Sequence, residues 1–219
     1  MGTALSLNQD FWTNAGKPIH KSAHYLPIYE RHFAPFVGRS IFFLEIGTWK
    51  GGSAQMWKRY FGPAARVVTC DIDPECKAHE DGLVQVRIGD QSDPRFLQSV
   101  LDEFGAPDIV LDDGSHVMAH IQASFEYLYP RMTRDGVYMV EDLHTAYWPE
   151  YGGGYRAASS FIEIAKGFAD DLNHDHIRAG GPPPTEISRT ARSLHFYDSI
   201  VVIERGPYIT KQSVVRPPA

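Results

Sequence analysis

The sequence predicts a doubly wound α/β fold: a mostly parallel, seven-stranded sheet that closes with an antiparallel hairpin. Three observations predict it. Short apolar runs alternate with helix-length amphipathic stretches, the rhythm of βαβ units. Several runs, such as Ile41, Phe42, Phe43 and Leu44, are apolar without alternation, as in strands buried on both faces. The last two runs, 193–197 and 200–204, are separated only by Asp198 and Ser199, a connection that parallel strands cannot make.

Composition bounds the function. A chain of 219 residues can bury one sizeable core, and it is read as one domain: an arm and helix over 1–40, a core over 41–206, a tail over 207–219. The net charge of −6 argues against a nucleic-acid binder that works by phosphate neutralisation. No apolar run has the length of a membrane span, and residues 1–10 lack the pattern of a signal peptide. Two cysteines, Cys70 and Cys76, make neither a disulfide framework nor a zinc cluster, so a reduced, cytoplasmic setting is expected.

In chain order, residues 1–21 read as a lead-in arm. Residues 22–36 carry Tyr25, Ile28, Tyr29, Phe33 and Phe36 at helical spacing, with Pro35 as a stop. The first strand, 41–44, runs into Glu45, Ile46, Gly47, Thr48 and then Gly51, Gly52 and Ser53, ahead of a helix over 54–61. A glycine turn between strand and helix lets a ligand approach the backbone. The acid Glu45 there disfavours a pyrophosphate and suits a cationic ligand group. The second strand, 66–70, ends at Asp71, where such folds hydrogen-bond a ribose diol. Asp73 before Pro74 fits a helix cap instead. The third strand, 84–88, ends at Gly89, Asp90 and Gln91, with a helix over 94–104.

The fourth and fifth strands end in acid pairs. Residues 109–111 run into Asp112, Asp113, Gly114, Ser115 and His116; residues 137–140 run into Glu141, Asp142, Leu143 and His144. Helices are expected over 119–129 and 155–172, and the polar, proline-rich stretch 173–192 is expected as loop. Parallel neighbours deliver their carboxyl ends to one edge, so four carboxylates and two histidines meet there. A cation offsets that charge, and an all-carboxylate set favours Mg²⁺ or Mn²⁺ over zinc.

With these residues in place, the sequence resembles the class I S-adenosylmethionine-dependent methyltransferases, over about residues 20–206. The resemblance rests on Leu44, Glu45, Ile46 and Gly47, although Gly51 and Gly52 depart from the usual alternation. It implies a Rossmann-like core. The segments GDQSDP (89–94), IVLDDGSH (109–116) and VEDLHTAYWP (140–149) are similar to the metal-dependent macrolide and saccharide O-methyltransferases. A narrower likeness is to mycobacterial methyltransferases of methylmannose polysaccharide synthesis. The resemblance implies Asp113, Glu141 and Asp142 as metal ligands and His116 as the base; His144, two residues past Asp142, is the second choice as base or a substrate ligand. It also allows a homo-oligomer.

The cofactor, S-adenosylmethionine, is expected against Glu45, Gly47, Thr48, Gly52 and Ser53. Asp71 is expected on its ribose, and Asp90 and Gln91 near its adenine. Asp112 faces either the cofactor or a hydrogen bond of its own. Tyr147 and Trp148 are either core aromatics or a wall for a small-molecule or oligosaccharide substrate. His120 lacks an HExxH context and is expected in packing or at the surface. The chemistry is coherent: a sugar hydroxyl is a poor nucleophile, and a hard cation with a nearby imidazole makes it a better one. A catechol O-methyltransferase and a metal-dependent hydrolase are the rival enzyme classes. The hydrolase has no use for the Gly47 turn or Asp71.

Overall fold

The computed structural model describes residues 6–216; the first five residues of the expected arm and the last three of the tail lie outside them. Seven strands form one sheet: β1 (Phe42–Ile46), β2 (Arg66–Asp71), β3 (Val84–Ile88), β4 (Ile109–Asp112), β5 (Val137–Val140), β6 (Ala191–Tyr197) and β7 (Ile200–Arg205). Their order is β3-β2-β1-β4-β5-β7-β6. The first five are parallel, whereas β7 runs antiparallel to both β5 and β6. The fold class expected from the strand rhythm is the fold observed. Strand order reverses between β1 and β4, and the crevice at such a switch point is where open α/β sheets bind ligands.

The helices are α1 (Leu7–Trp12), α2 (Leu26–Phe33), α3 (Gly52–Phe61), α4 (Pro94–Phe104), α5 (Met118–Leu128), α6 (Phe161–Leu172) and α7 (Glu186–Thr190). Strand alternation divides the core in two. Phe42, Leu44 and Ile46 of β1 pack with Val110, Tyr138 and the inner faces of α4, α5 and α6. Phe43, Leu111 and Met139 face α1, α2 and α3, where Tyr29, Phe33, Trp57 and Phe61 are buried.

Several boundaries differ from the sequence expectation, each for a local reason. The strand β1 extends through Ile46, so Glu45 is a strand residue and not part of the turn. The expected helix over 22–36 is the shorter α2 between two 3₁₀ turns, the second containing Pro35, yet its five apolar positions are all buried. The expected helix from 155 begins at Phe161. Gly152, Gly154 and Arg156 hold positive φ angles of 77°, 155° and 57° that no helix accepts, and the Ser160 hydroxyl then caps Glu163. The stretch expected as loop over 173–192 contains α7, started by Thr185 accepting from the Ser188 amide at 3.2 Å. Asp73 caps the 3₁₀ helix Pro74–His79 through the Glu75 amide at 2.9 Å.

Phe125 of α5 lies at the centre of the first core half, its ring 5.0–5.4 Å from those of Tyr129, Tyr138, Phe161 and Phe168. Replacing it with alanine leaves a cavity between three elements. The expected loss is about 3–5 kcal/mol, measured by urea unfolding; a loss within the error of the melt would show that α5 does not hold this half together.

Candidate active site

The three inner strands end in step. Ile46 of β1 pairs with Asp112 of β4, which pairs with Val140 of β5. Gly47, Asp113 and Glu141 therefore emerge side by side. The turn after β1 passes very close to the β4 loop: a Cβ on Gly47, whose φ is 99°, would lie 2.0 Å from the Asp113 carbonyl oxygen. Only glycine permits both the φ and the approach.

A cavity of about 610 Å³ opens at this edge. Gly47, Thr48, Ser53, Asp71, Asp90 and Gln91 line one part, and Asp113, His116 and Asp142 line the other. The arm contributes Pro18 and His20 to the same wall. Asp71 sits at the tip of β2, where Oδ2 accepts from the amides of Thr48 (2.9 Å) and Trp49 (3.1 Å), and Oδ1 from that of Asp73 (3.0 Å). Burial works to raise its carboxyl, but these amides outweigh it and hold the group below the ordinary range.

Three residues expected at the cofactor lie elsewhere. Glu45 shares the face of Phe43 and turns away from the cavity, accepting from Trp57 Nε1 at 3.0 Å and the Ser53 hydroxyl at 2.9 Å. Gly52 faces the arm: a Cβ there would lie 2.1 Å from the Pro18 carbonyl oxygen. Asp112 shares the face of Val110 and is buried against α5, accepting from the Ser124 hydroxyl (2.6 Å) and from Gln91 Nε2 (3.1 Å). Of the two orientations open for Asp112 in the sequence, it takes the hydrogen-bonded one. Gln91 links the halves, since its Oε1 accepts from the Ser115 amide at 2.8 Å.

The residue that sequence reasoning missed is Lys21. Its side chain is 1% exposed, and its ammonium reaches Glu45 Oε1 at 3.3 Å, Glu141 Oε1 at 2.7 Å and Asp113 Oδ2. Burial pulls its pKa down, but the three carboxylates outweigh burial and hold it well above the ordinary lysine value. One ammonium does not satisfy three carboxylates. Asp113 is still pushed up, by burial and by Glu141 beside it. Glu141 also accepts from the Tyr29 hydroxyl, and Asp142 Oδ1 accepts from that of Tyr25 at 2.7 Å. No local motif marks Lys21; the only signal was arithmetic, an acid cluster with no basic partner assigned.

His116 and Asp142 both hold left-handed backbone, with φ of 58° and 55°, and the Thr145 hydroxyl donates to the carbonyl oxygens of both. Strained non-glycine residues persist where surroundings enforce them, often at sites. The result aims His116 Nε2 to within 3.7 Å of Asp142 Oδ2 and 4.0 Å of Asp113 Oδ1. Ligand atoms of Asp113, His116 and Asp142 all lie within 4.8 Å of one another. Glu141 stands outside that group, on the Lys21 side. Burial lowers the His116 imidazole below its ordinary value even though Asp142 and Glu141 oppose this. His144 Nδ1 is 3.9 Å from Asp142 Oδ1, and its ring meets Trp148 edge-on at 5.0 Å. Tyr147 and Trp148 are 47% and 43% exposed, so neither is a core aromatic, and neither lines the cavity. His120, expected in packing or at the surface, lines the cavity, with Nδ1 3.1 Å from the Ser115 hydroxyl.

The sheet order, the glycine turn at the switch point and the acid-lined edge define a class I S-adenosylmethionine-dependent methyltransferase fold. Residues 44–143 match the family described as Methyltransferase domain. Among proteins it is similar to is the 8-demethyl-8-alpha-L-rhamnosyl tetracenomycin-C 2'-O-methyltransferase of Streptomyces olivaceus. The two are 38% identical over 93% of this chain and 54% of that one. Another is the mycinamicin VI 2''-O-methyltransferase of Micromonospora griseorubida, 34% identical over 83% of this chain and 48% of that protein. A solved structure of the MycE methyltransferase from the mycinamycin biosynthetic pathway, in complex with Mg, SAH and mycinamycin VI, superposes with a TM-score of 0.80. It shares 31% identity and covers 94% of this chain and 54% of that one. The chain thus spans about half the length of the curated relatives it matches.

Two substitutions probe the electrostatics. Lys21→Met leaves buried carboxylates without their ammonium and is expected to cost about 3–5 kcal/mol at neutral pH, read by chemical denaturation in the presence of a chelator. An unchanged midpoint would mean the ammonium is not what balances them. Asp112 gives a pH test. Burial raises its carboxyl to about 6 against the hydrogen bonds from Ser124 and Gln91. Because the folded value lies above the unfolded one, roughly 3.9, its contribution to stability is present below the unfolded value and lost as pH rises through the folded one. Asp112→Asn is therefore expected to be more stable than wild type at about pH 8, by on the order of 2 kcal/mol, with no advantage near pH 4. Urea melts at the two pH values compare them; a constant difference would refute the assignment.

Proposed function

We propose that this chain transfers a methyl group from S-adenosylmethionine to a hydroxyl of a saccharide or of a glycosylated natural product, with Mg²⁺ or Mn²⁺. The single observation that carries the reading is the shared cavity. The glycine turn and the β2 carboxylate lie on one side, and Asp113, His116 and Asp142 converge on the other. The activities for which the relatives are named, methyl transfer to sugar hydroxyls, support it.

The Gly47 turn brings backbone close to the methionine part of the donor, and Asp71 is set for the ribose diol. Asp90 and Gln91 lie by the third strand end for the adenine. Asp113, Asp142 and Glu141 fit a hard cation, since all three offer carboxylate oxygens. The two oxygens of Glu141 already hold Lys21 and Tyr29, but a carboxylate has lone pairs for a further contact. When bound, the cation lowers the pKa of an acceptor hydroxyl. With the donor bound, the site would hold the acceptor oxygen in line with the methyl carbon, so that a carbon–oxygen bond would form as the carbon–sulfur bond broke and S-adenosylhomocysteine left. His116 Nε2 takes the hydroxyl proton, and Asp142 beside it stabilises the imidazolium.

One observation favours a second ligand set. The donor group that converges contains His116 in place of Glu141. In that reading His116 binds the metal, and His144 takes the proton. Tyr147 and Trp148, exposed beyond His144, offer a surface on which a sugar ring stacks. Calorimetric titration with S-adenosylmethionine, with and without Mg²⁺, tests the class; absence of binding under both conditions ends it. A labelled-donor screen over mannosides, rhamnosides and catechols reads the acceptor, and mannose oligosaccharides would mark the methylmannose polysaccharide branch. His116→Ala is expected to lower kcat by about 10²–10⁴-fold with metal affinity kept. Lost Mn²⁺ affinity in His116→Ala, with the kcat loss in His144→Ala, would instead favour the second set.

A further inference from the structure

A second cluster of metal-type ligands lies away from the cavity, where α2 meets the β6–β7 hairpin. His32 of α2 is buried; His195 of β6 and Glu204 of β7 are half-buried. Glu204 bridges the two imidazoles: its Oε1 is 2.8 Å from His32 Nδ1, and its Oε2 is 3.8 Å from His195 Nε2. One ligand atom from each of the three lies within 4.8 Å of the others. The imidazole rings meet at 4.7 Å between centroids. None of the three lines the cavity, and none has a part in the proposed methyl transfer.

We propose that His32, His195 and Glu204 bind a late first-row divalent cation, Zn²⁺ first among them, and that this ion ties α2 to the C-terminal hairpin.

The donor set decides the metal. Two imidazoles and one carboxylate suit zinc, whereas Mg²⁺ prefers oxygen ligands throughout. Zinc bonds of roughly 2.0–2.2 Å in a tetrahedron place donors about 3.3–3.6 Å apart, so the 2.8 Å contact of His32 with Glu204 opens slightly and the 3.8 Å contact of His195 with Glu204 closes slightly, within reach of side-chain rotation at His195 and Glu204. The outer partners that such ligands need are present. His32 Nε2 is 2.9 Å from the Tyr197 hydroxyl, and the Ser193 hydroxyl donates to Glu204 Oε2 at 2.8 Å. With the ion on Nδ1, the single proton of the neutral His32 ring moves to Nε2 and is donated to Tyr197 Oη, so no charge is stranded. Burial lowers the His32 imidazole despite the Glu204 hydrogen bond that raises it, which keeps the ring in the neutral form a ligand requires. The half-exposed edges of His195 and Glu204 give the ion a path from solvent. The consequence reaches the acid cluster, because α2 also carries Tyr29, the hydroxyl partner of Glu141.

The test uses the full chain, stripped with a chelator and titrated calorimetrically with Zn²⁺ while Mg²⁺ is held in excess. Wild type is expected to take up one Zn²⁺ equivalent that raises the melting temperature. His195→Gln and Glu204→Gln, at half-exposed positions, are expected to weaken that equivalent at least tenfold, whereas His116→Gln keeps it. Co²⁺ in place of Zn²⁺ should give a visible ligand-field band that the His195 variant lacks. Failure of wild type to bind Zn²⁺ overturns the proposal and leaves a hydrogen-bonded cluster only. So does an equivalent that His116→Gln abolishes and His195→Gln retains, which would put the ion in the cavity.

Discussion

The contact on which the site depends is that of the Lys21 ammonium with Glu45, Asp113 and Glu141. A parallel sheet that ends three adjacent strands in acids gathers negative charge at one edge. Strand alternation decides which acids meet. Glu45 shares a face with Phe43, Asp113 follows the side of Leu111, and Glu141 follows that of Met139. All three turn toward α2 and α3, Glu45 and Glu141 into low dielectric, where uncompensated carboxylates cost several kcal/mol each. The arm supplies the compensating charge from about twenty residues before the first strand begins.

That placement ties the arm to both halves of the cavity. Pro18 and His20 line its wall, the Pro18 carbonyl presses on Gly52 at the start of α3, and Lys17 Nζ donates to the His79 carbonyl at 3.0 Å. Lys21 then closes the acid cluster. The arm is therefore part of the site's construction rather than a lead-in to the fold. Its packing constrains Gly52 more tightly than any ligand would, which is the physical reason that glycine is needed there.

Most of the fold was legible in the sequence because strand burial and helix amphipathicity are local patterns. The seven strands, the antiparallel ending and the buried positions of α2 follow from them. Boundaries were less legible where a cap or a positive φ set them. Arg156 and Gly154 delay α6, and Thr185 starts α7 inside a proline-rich stretch. In the site, strand ends showed which residues reach the edge but not which way each turns. Asp112 and Asp113 are adjacent and face opposite sides, one into α5 and one onto Lys21. Lys21 itself was invisible, since a contact across 92 residues to Asp113 leaves no trace in spacing.

The acid cluster is held from behind as well as in front. Tyr25 and Tyr29, before and within α2, donate to Asp142 and Glu141, and burial with the neighbouring carboxylates raises both phenols well above their ordinary values, so they remain donors. The same helix carries His32 to Glu204 and Tyr197 on the hairpin. A hydrogen-bonded path thus runs from β7 through α2 to Glu141 of the acid cluster. The antiparallel ending of the sheet has a role beyond covering β5. It fixes the helix whose Tyr29 hydroxyl holds Glu141, next to the strained backbone at Asp142 and at His116 that the Thr145 hydroxyl ties together.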